Sequence, residues 1–125
     1  MDEHPNATFV RRFIDDEETS IGEFVTDDVE WHFIGPMLTL HSKAEVVARY
    51  EGPPTNPAIK QTGQTTHDVV ANDTHGIALL ETTFEKGDET FTYRTAEIYH
   101  IRDGKISARW AFAEDTEAIN SFFGS

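Results

Sequence analysis

Residues 91–112 alternate between apolar and polar positions, and Asp103-Gly104 divides them into two segments. A two-residue Asp-Gly between alternating segments predicts a β-hairpin that turns at this pair. Because successive strand residues point to opposite faces, alternation gives the hairpin one aromatic face and one mixed face. The aromatic face comprises Phe91, Tyr93, Thr95, Glu97, Tyr99, Ile101, Ile106, Ala108, Trp110 and Phe112. The mixed face comprises Thr92, Arg94, Ala96, Ile98, His100, Arg102, Ser107, Arg109 and Ala111.

Glu97 is the unusual residue of the aromatic face. Regular pairing places it opposite Trp110, with Thr95 and Tyr99 as its neighbours on the strand and no cation beside it. Desolvation of a carboxyl group favours its protonated form, which suits proton transfer near neutral pH. Glu97 is therefore a candidate general acid or base, and the face around it predicts a pocket rather than a plain core.

Two alternatives stay open for Glu97. It can be a structural carboxylate paired with Arg94, Arg109 or a helix terminus, since an unpaired buried charge is costly. A β-bulge near Ala108 would turn Arg109 inward and create such a pair.

The rest of the chain reads as helices followed by strands. Helical periodicity and N-cap residues predict helices over residues 6–17, after Ser20, over residues 43–50 and after Asp115. Alternation predicts further strands over residues 29–34, 65–72 and 77–84, with turns at residues 26–28 and 35–36. This order predicts one α+β domain over residues 1–125. Long strands in so small a domain indicate a cone-shaped, curved, mostly antiparallel sheet that wraps around the N-terminal helices and encloses a cavity.

Composition narrows the function classes. The 125 residues include 23 acidic and 10 basic side chains, a formal net charge of −13, which disfavours nucleic acid as a partner. An acidic surface is typical both of a salt-adapted host and of ordinary solubility, and the sequence leaves both open. There is no cysteine, which excludes disulfides and thiolate chemistry. The sequence shows no signal-peptide pattern and no membrane-length apolar run, so we expect a cytoplasmic protein with no membrane partner.

At this point the chain resembles the SnoaL-like branch of the nuclear transport factor 2-like superfamily. The resemblance rests on residues 27–35, on the helix that contains residues 45–47, and on residues 101–106 and 110–115. Members of this superfamily include ketosteroid isomerases, polyketide cyclases and dehydratases. The resemblance implies that a small apolar molecule binds in the cone and that two copies form a homodimer through the sheet.

The resemblance also implies positions for the site. The first-strand base of the steroid isomerases falls on Phe33 or His32, depending on the alignment, and Glu97 is the nearest match to their second acidic group. Tyr99 can donate a hydrogen bond to a developing oxyanion. The expected catalytic residues are Glu97, His32 and Tyr99. The expected pocket residues are Phe9, Phe13, Trp31, Phe33, Tyr50, Tyr93, Thr95 and Trp110.

No cofactor is expected. The histidines lack metal-site spacing, and neither a glycine-rich phosphate loop nor a nucleophile elbow is present. The leading hypothesis is a cofactor-independent isomerase, cyclase or dehydratase that acts on an apolar ring or a polyketide-like molecule. The alternative is a non-catalytic module of the same fold that binds a ligand or a protein partner.

Overall fold

Within residues 3–16, 18–34, 39–53 and 57–124, which the computed structural model describes, the chain forms six strands and three α-helices. The helices are α1 (Pro5–Asp15), α2 (Lys43–Glu51) and α3 (Thr116–Gly124), with a 3-10 helix at Ile21–Phe24. The strands are β1 (Val25–His32), β2 (Thr39–Leu40), β3 (Ile59–Ala71), β4 (His75–Lys86), β5 (Glu89–Arg102) and β6 (Lys105–Ala113). The predicted turn at residues 35–36 lies outside the described residues.

The strands form one curved, unclosed sheet in the order β2-β1-β6-β5-β4-β3. Only β1 and β6 pair in parallel among the described strands, and the other neighbours are antiparallel. The predicted α+β class and mostly antiparallel sheet are therefore confirmed.

Helix α1 begins one residue before the predicted start, and its N-cap is His4 rather than Asn6. The His4 ring accepts a hydrogen bond from the Asn6 backbone at 3.1 Å. The Asn6 side chain instead donates to the Asn72 and Asp73 carbonyls at 2.9 and 3.1 Å. These bonds fasten the start of α1 to the turn between β3 and β4.

The predicted turn at residues 26–28 is wrong, because these residues belong to β1. Val25 already pairs with Ile106 of β6, so the strand starts four residues earlier than its apolar pattern indicates. Asp28 then meets Arg102 of β5 at 2.6 Å on the exposed edge. The strand therefore continues through both aspartates in spite of their turn preference.

The hairpin turns at Asp103-Gly104, as predicted. Arg102 pairs with Lys105 and Ile101 with Ile106, and both turn residues have positive φ, 54° and 75°. Such φ angles are those of the turn type that Asp-Gly favours between two strands.

Beyond the turn the register shifts by one residue. His100 pairs with Ala108 instead of Ser107, which leaves Ser107 as the extra residue of a β-bulge in β6. Every later residue of β6 is thereby moved to the opposite face from the one that simple alternation predicts. The bulge alternative is the correct one.

The bulge changes which residues share a face. Tyr99 now pairs with Arg109, Ile98 with Trp110 and Glu97 with Ala111. The prediction that Trp110 faces Glu97 is therefore wrong, and Arg109 has moved from the mixed face to the inner one. Phe112, also predicted to be inside, is 56% exposed.

The core lies between α1 and the concave face of the sheet. Val10 of α1 and Trp31, Tyr99 and Ile106 of the sheet are almost completely buried. Helix α1 approaches β4 closely at Gly76, where a Cβ atom would lie 2.7 Å from the Val10 side chain. The cavity described next lies at the C-terminal end of α1, where Phe13 and Ile14 are part of its lining.

Candidate small-molecule site

A cavity of about 620 Å³ opens on the concave face of the sheet. Its walls come from α1, α2, α3, the 3-10 helix and all the long strands. Aromatic and aliphatic side chains make up 13 of the 22 described lining residues, and the other nine are polar or charged. This composition is typical of a small-molecule site.

Glu97 lies in the wall of the cavity and is held by two partners. Its Oε1 accepts a hydrogen bond of 2.5 Å from the Tyr99 hydroxyl, and its Oε2 lies 3.0 Å from Nη2 of Arg109. The side chains of Glu97 and Arg109 are 16% and 9% exposed. The sequence-based picture of Glu97 without a neighbouring cation is wrong, because the bulge brings Arg109 to it.

Arg109 is fixed by more than this carboxylate. Its Nη1 donates to the His32 backbone carbonyl at 3.0 Å. Its guanidinium carbon lies 5.0 Å from the centre of the Trp31 ring and 5.8 Å from that of Phe33, both within cation–π range. Two hydrogen bonds and two ring contacts hold the cation in one orientation.

The electrostatics of the cluster keep its members in defined protonation states. Burial by itself lowers the pKa of Arg109, but the adjacent Glu97 carboxylate raises it, and the net direction is upward. Burial raises the pKa of Tyr99 well above that of free tyrosine, and the charge of Glu97 adds to the rise. The same two causes raise the pKa of Tyr93 to about 12. Arg109 is therefore charged, and both tyrosines keep their hydroxyl protons, at neutral pH.

Tyr50 of α2 forms the lip of the cavity. Its hydroxyl accepts a hydrogen bond of 2.9 Å from the Trp31 indole, and its ring stacks on Phe33 at 6.0 Å. The residue is nevertheless 43% exposed.

The structure brings most of the predicted site residues to one cavity. Those that line it are Phe13, Trp31, Phe33, Tyr50, Tyr93, Glu97 and Tyr99. Phe9, Thr95, His32 and Trp110 are not among the described residues that line it. Phe9 packs instead on Phe24, at a centroid distance of 6.1 Å, and Thr95 is buried with no hydrogen-bond partner for its hydroxyl in the described part of the chain.

His32 and Trp110 lie on the outer face of the sheet, where their rings stack at 5.0 Å. The His32 ring also contacts Glu30 and Thr39, each at 3.2 Å. Of the two residues that the resemblance left open for the first-strand base, Phe33 is therefore the one in the cavity. His32 contributes its backbone carbonyl to Arg109, not an imidazole to the site.

Sequence reasoning missed several polar groups of the lining. These groups are Arg49 of α2, Gln61 and Gln64 of β3, and Thr82 of β4. Both glutamines precede the strand predicted over residues 65–72, so alternation assigned neither of them to a face. Arg49 lies one residue before Tyr50, which the helical pattern did place at the site.

Metal and membrane sites find no support in the described ranges. No group of three or more histidine, aspartate or glutamate side chains there could hold a metal ion. No helix in the same ranges is long and apolar enough to cross a membrane.

A family model described as a SnoaL-like domain matches residues 7–109. The chain belongs to this family. The matched region contains every strand through the centre of β6 together with Glu97 and Arg109. No curated protein matches the SnoaL-like chain.

Solved structures share its fold at low sequence identity. A protein from Xanthomonas campestris with a cystatin-like fold has a TM-score of 0.70 and 20% identity, with 94% of this chain and 97% of that one covered. A protein from Jannaschia, proposed to be a SnoaL-like polyketide cyclase, has a TM-score of 0.70 and 12% identity, with 96% and 95% covered.

A third structure contains a ligand. It is a protein from Catenulispora acidiphila with a ketosteroid isomerase-like fold, in complex with trimethylamine. The TM-score is 0.65 and the identity 11%, with 86% of this chain and 84% of that one covered. Together these similarities show the fold.

Proposed function

We propose that this SnoaL-like domain binds a small, largely apolar molecule in the cavity and moves a proton on it with Glu97. The reaction class is a cofactor-independent isomerisation, cyclisation or dehydration of a ring-shaped or polyketide-like compound. The observation that carries the proposal is a carboxylate that opens on an aromatic cavity while Tyr99 and Arg109 hold its two oxygens.

The chemistry assigns a role to each member of the cluster. Glu97 takes a proton from one atom of the ligand and returns it to another. Arg109 and Tyr99 fix the carboxylate, so that its remaining lone pairs point in a set direction. The aromatic walls of Trp31 and Phe33 exclude water and hold the apolar part of the ligand.

A simple ketone tests the proposal. Glu97 would take a proton from the carbon between the carbonyl and the double bond of cyclohex-3-enone. It would return the proton at the far end of the dienolate and form cyclohex-2-enone, which is followed by its ultraviolet absorbance. We expect the wild-type protein to accelerate this isomerisation and Glu97→Gln to abolish the acceleration.

Two controls separate catalysis from folding. Glu97→Asp keeps a negative charge near Arg109 but withdraws the carboxylate by one methylene group, so the rate should fall while circular dichroism stays unchanged. Full activity in a folded Glu97→Gln protein would refute proton transfer at this residue.

A second candidate function is non-catalytic binding of the same kind of ligand, and the pairing of Glu97 with Arg109 favours it. The ion pair gives the carboxylate a structural role that needs no turnover. In that case apolar ligands would raise the melting temperature without any turnover. A module that assembles with a protein partner would show neither effect.

We also propose that two copies associate through the outer face of the sheet. This face exposes Phe112 and Leu79, at 56% and 38%, around a row of rings in which Trp110, His100 and His75 are successive neighbours 4.6 and 4.5 Å apart. Burial and the neighbouring His75 lower the pKa of His100, which favours the uncharged form of that ring. An exposed apolar patch on a chain of net charge −13 suits association of like copies.

A further inference from the structure

We infer that the ligand of the cavity is an uncharged, elongated molecule with a hydroxyl or enol group at one end and an oxygen acceptor at the other. In this arrangement Glu97 accepts a hydrogen bond from the ligand hydroxyl. Tyr93 donates a hydrogen bond to the ligand oxygen at the other end. The inference rests on the proposed binding function and adds the chemical class of the ligand.

The Glu97 carboxylate offers hydrogen-bond acceptors at one end of the cavity. Each carboxylate oxygen can accept about two hydrogen bonds, and each has one protein partner, Tyr99 or Arg109. The carboxylate still faces the cavity with part of its surface. Its remaining lone pairs are therefore available to an O–H group of a ligand.

The Tyr93 end offers a donor. Tyr93 lines the cavity, and its hydroxyl forms no hydrogen bond with any described residue. Its ring is held between Phe84 and Phe91, at centroid distances of 5.8 and 5.4 Å. Since its pKa is raised to about 12, the hydroxyl keeps its proton and can donate it to a ligand oxygen.

The two groups are separated by a fixed length of strand. Glu97 and Tyr93 lie four residues apart on the same face of β5, about 13 Å at ~3.3 Å per residue. Thr95, between them, does not line the cavity, and Leu80 and Thr82 of β4 flank the space beside it. A ligand that reaches both ends therefore has the length of about two aromatic rings, with an apolar middle.

The charges of the cavity favour a neutral ligand. A cation would normally bind over the aromatic rings, but the Arg109 guanidinium already lies over Trp31 and Phe33, and that of Arg49 lies 5.3 Å from the Phe33 ring centre. An anion meets the carboxylates of Glu97, Asp16 and Glu51 in the same lining. The trimethylamine complex of the structural relative is therefore not a guide to the charge of this ligand.

A matched series of biphenyls tests the inference by isothermal titration calorimetry. The probes are biphenyl, 4-hydroxybiphenyl and 4,4′-dihydroxybiphenyl, with biphenyl-4-carboxylate and 4-(aminomethyl)biphenyl as charged members. We expect 4-hydroxybiphenyl to bind about tenfold more tightly than biphenyl, since hydrogen bonds to charged groups are strong. The diol should gain about a further fivefold. Both charged probes should bind more weakly than the diol.

Variants of the protein test which residue binds each end of the ligand. Tyr93→Phe should remove the advantage of the diol over 4-hydroxybiphenyl and leave the binding of 4-hydroxybiphenyl unchanged. Thr92→Val is the matched control, because it removes a hydroxyl from the adjacent residue on the outer face and should keep the advantage. Glu97→Gln should reduce the tenfold preference for 4-hydroxybiphenyl over biphenyl, provided circular dichroism shows that the variant is folded.

The outcomes separate this inference from the function on which it rests. If no probe binds, biphenyl included, binding in the cavity is refuted and both proposals fail. If biphenyl and the diol bind equally, or if Tyr93→Phe leaves the ratio unchanged, the cavity binds apolar molecules and only the two-ended ligand is wrong. A charged probe that binds more tightly than the diol would also overturn the inference.

Discussion

Arg109 and Glu97 form an ion pair across β5 and β6 in which Nη2 and Oε2 lie 3.0 Å apart and both side chains are largely buried. Arg109 also donates to the carbonyl of His32 at the end of β1, so one side chain joins three strands. The pair therefore both sets the direction of the carboxylate and fastens β1 to the hairpin. Changes at either residue should affect stability as well as ligand chemistry.

Glu97→Gln should lower the free energy of unfolding by about 3 kcal/mol, because it leaves the buried charge of Arg109 without its counter-ion. Arg109→Met should lower the free energy of unfolding by a similar amount, because it leaves the buried charge of Glu97 without its counter-ion. The double variant should lose less than the sum of the two, since neither charge remains. Urea unfolding of the four proteins measures this coupling.

The exposed pair of Arg94 and Glu81, 3.5 Å apart on the outer face, is the control. Glu81→Gln should change the free energy of unfolding by less than about 1 kcal/mol. Additive losses at Glu97 and Arg109 would show that the pair does not act as a unit.

Stability should fall above pH 10 through the buried tyrosines. A tyrosine whose pKa is raised in the folded state binds its proton more tightly there than in the unfolded chain. Its contribution to the free energy of unfolding is therefore complete below pH 10. It is lost as the pH rises towards about 12, the pKa of Tyr93. Urea unfolding between pH 8 and 11.5 should therefore show a shallower decline for Tyr93→Phe than for the wild type. Both proteins carry the same lysines, and identical slopes would argue against a buried Tyr93 hydroxyl.

Gly76→Ala should destabilise the fold by about 1–3 kcal/mol, because the added Cβ would lie 2.7 Å from the Val10 side chain and push α1 off the sheet. Gly63→Ala on β3 is the control, since its Cβ would meet nothing closer than 3.8 Å. Thermal unfolding followed by circular dichroism measures both. An unchanged melting temperature for Gly76→Ala would show that α1 does not pack this closely.

Phe112→Lys should weaken the proposed dimer at least tenfold, because it places a charge in the exposed apolar part of the outer face. Ala44→Lys adds the same charge on the exposed side of α2 and should have no effect. Sedimentation at several concentrations gives the dissociation constant, and added salt should tighten the wild-type dimer by screening the acidic charge. A wild-type protein that stays monomeric at micromolar concentration would contradict association through this face.

Local signals in the sequence were sufficient for much of the fold. The Asp103-Gly104 turn has the backbone conformation that this pair favours. Ser42 caps α2, because its hydroxyl oxygen accepts a hydrogen bond of 3.1 Å from the Glu45 backbone N–H. These features depend on residues within a few positions of one another. The aromatic face of β5, from Tyr93 to Tyr99, was also predicted correctly, because alternation holds along an uninterrupted strand.

Where elements meet, local patterns were insufficient. Residues 26–28 read as a turn, yet they lie within β1 between Val25 and Glu30, which both pair with β6, because long-range strand pairing outweighs local preference. His4 replaced Asn6 as the cap of α1 because the turn between β3 and β4 provides partners for the Asn6 amide.

The sequence by itself determined that Glu97 lies on an aromatic face and that a hairpin carries it. Only the tertiary structure decided that Arg109, and not Trp110, stands beside it. The physical reason is that one unpaired residue, Ser107, reverses the alternation of everything after it in β6, and nothing in the neighbouring sequence marks that residue. The position of the bulge depends on contacts across the whole sheet, because it lets Arg109 reach Glu97, the His32 carbonyl and the ring of Trp31 together.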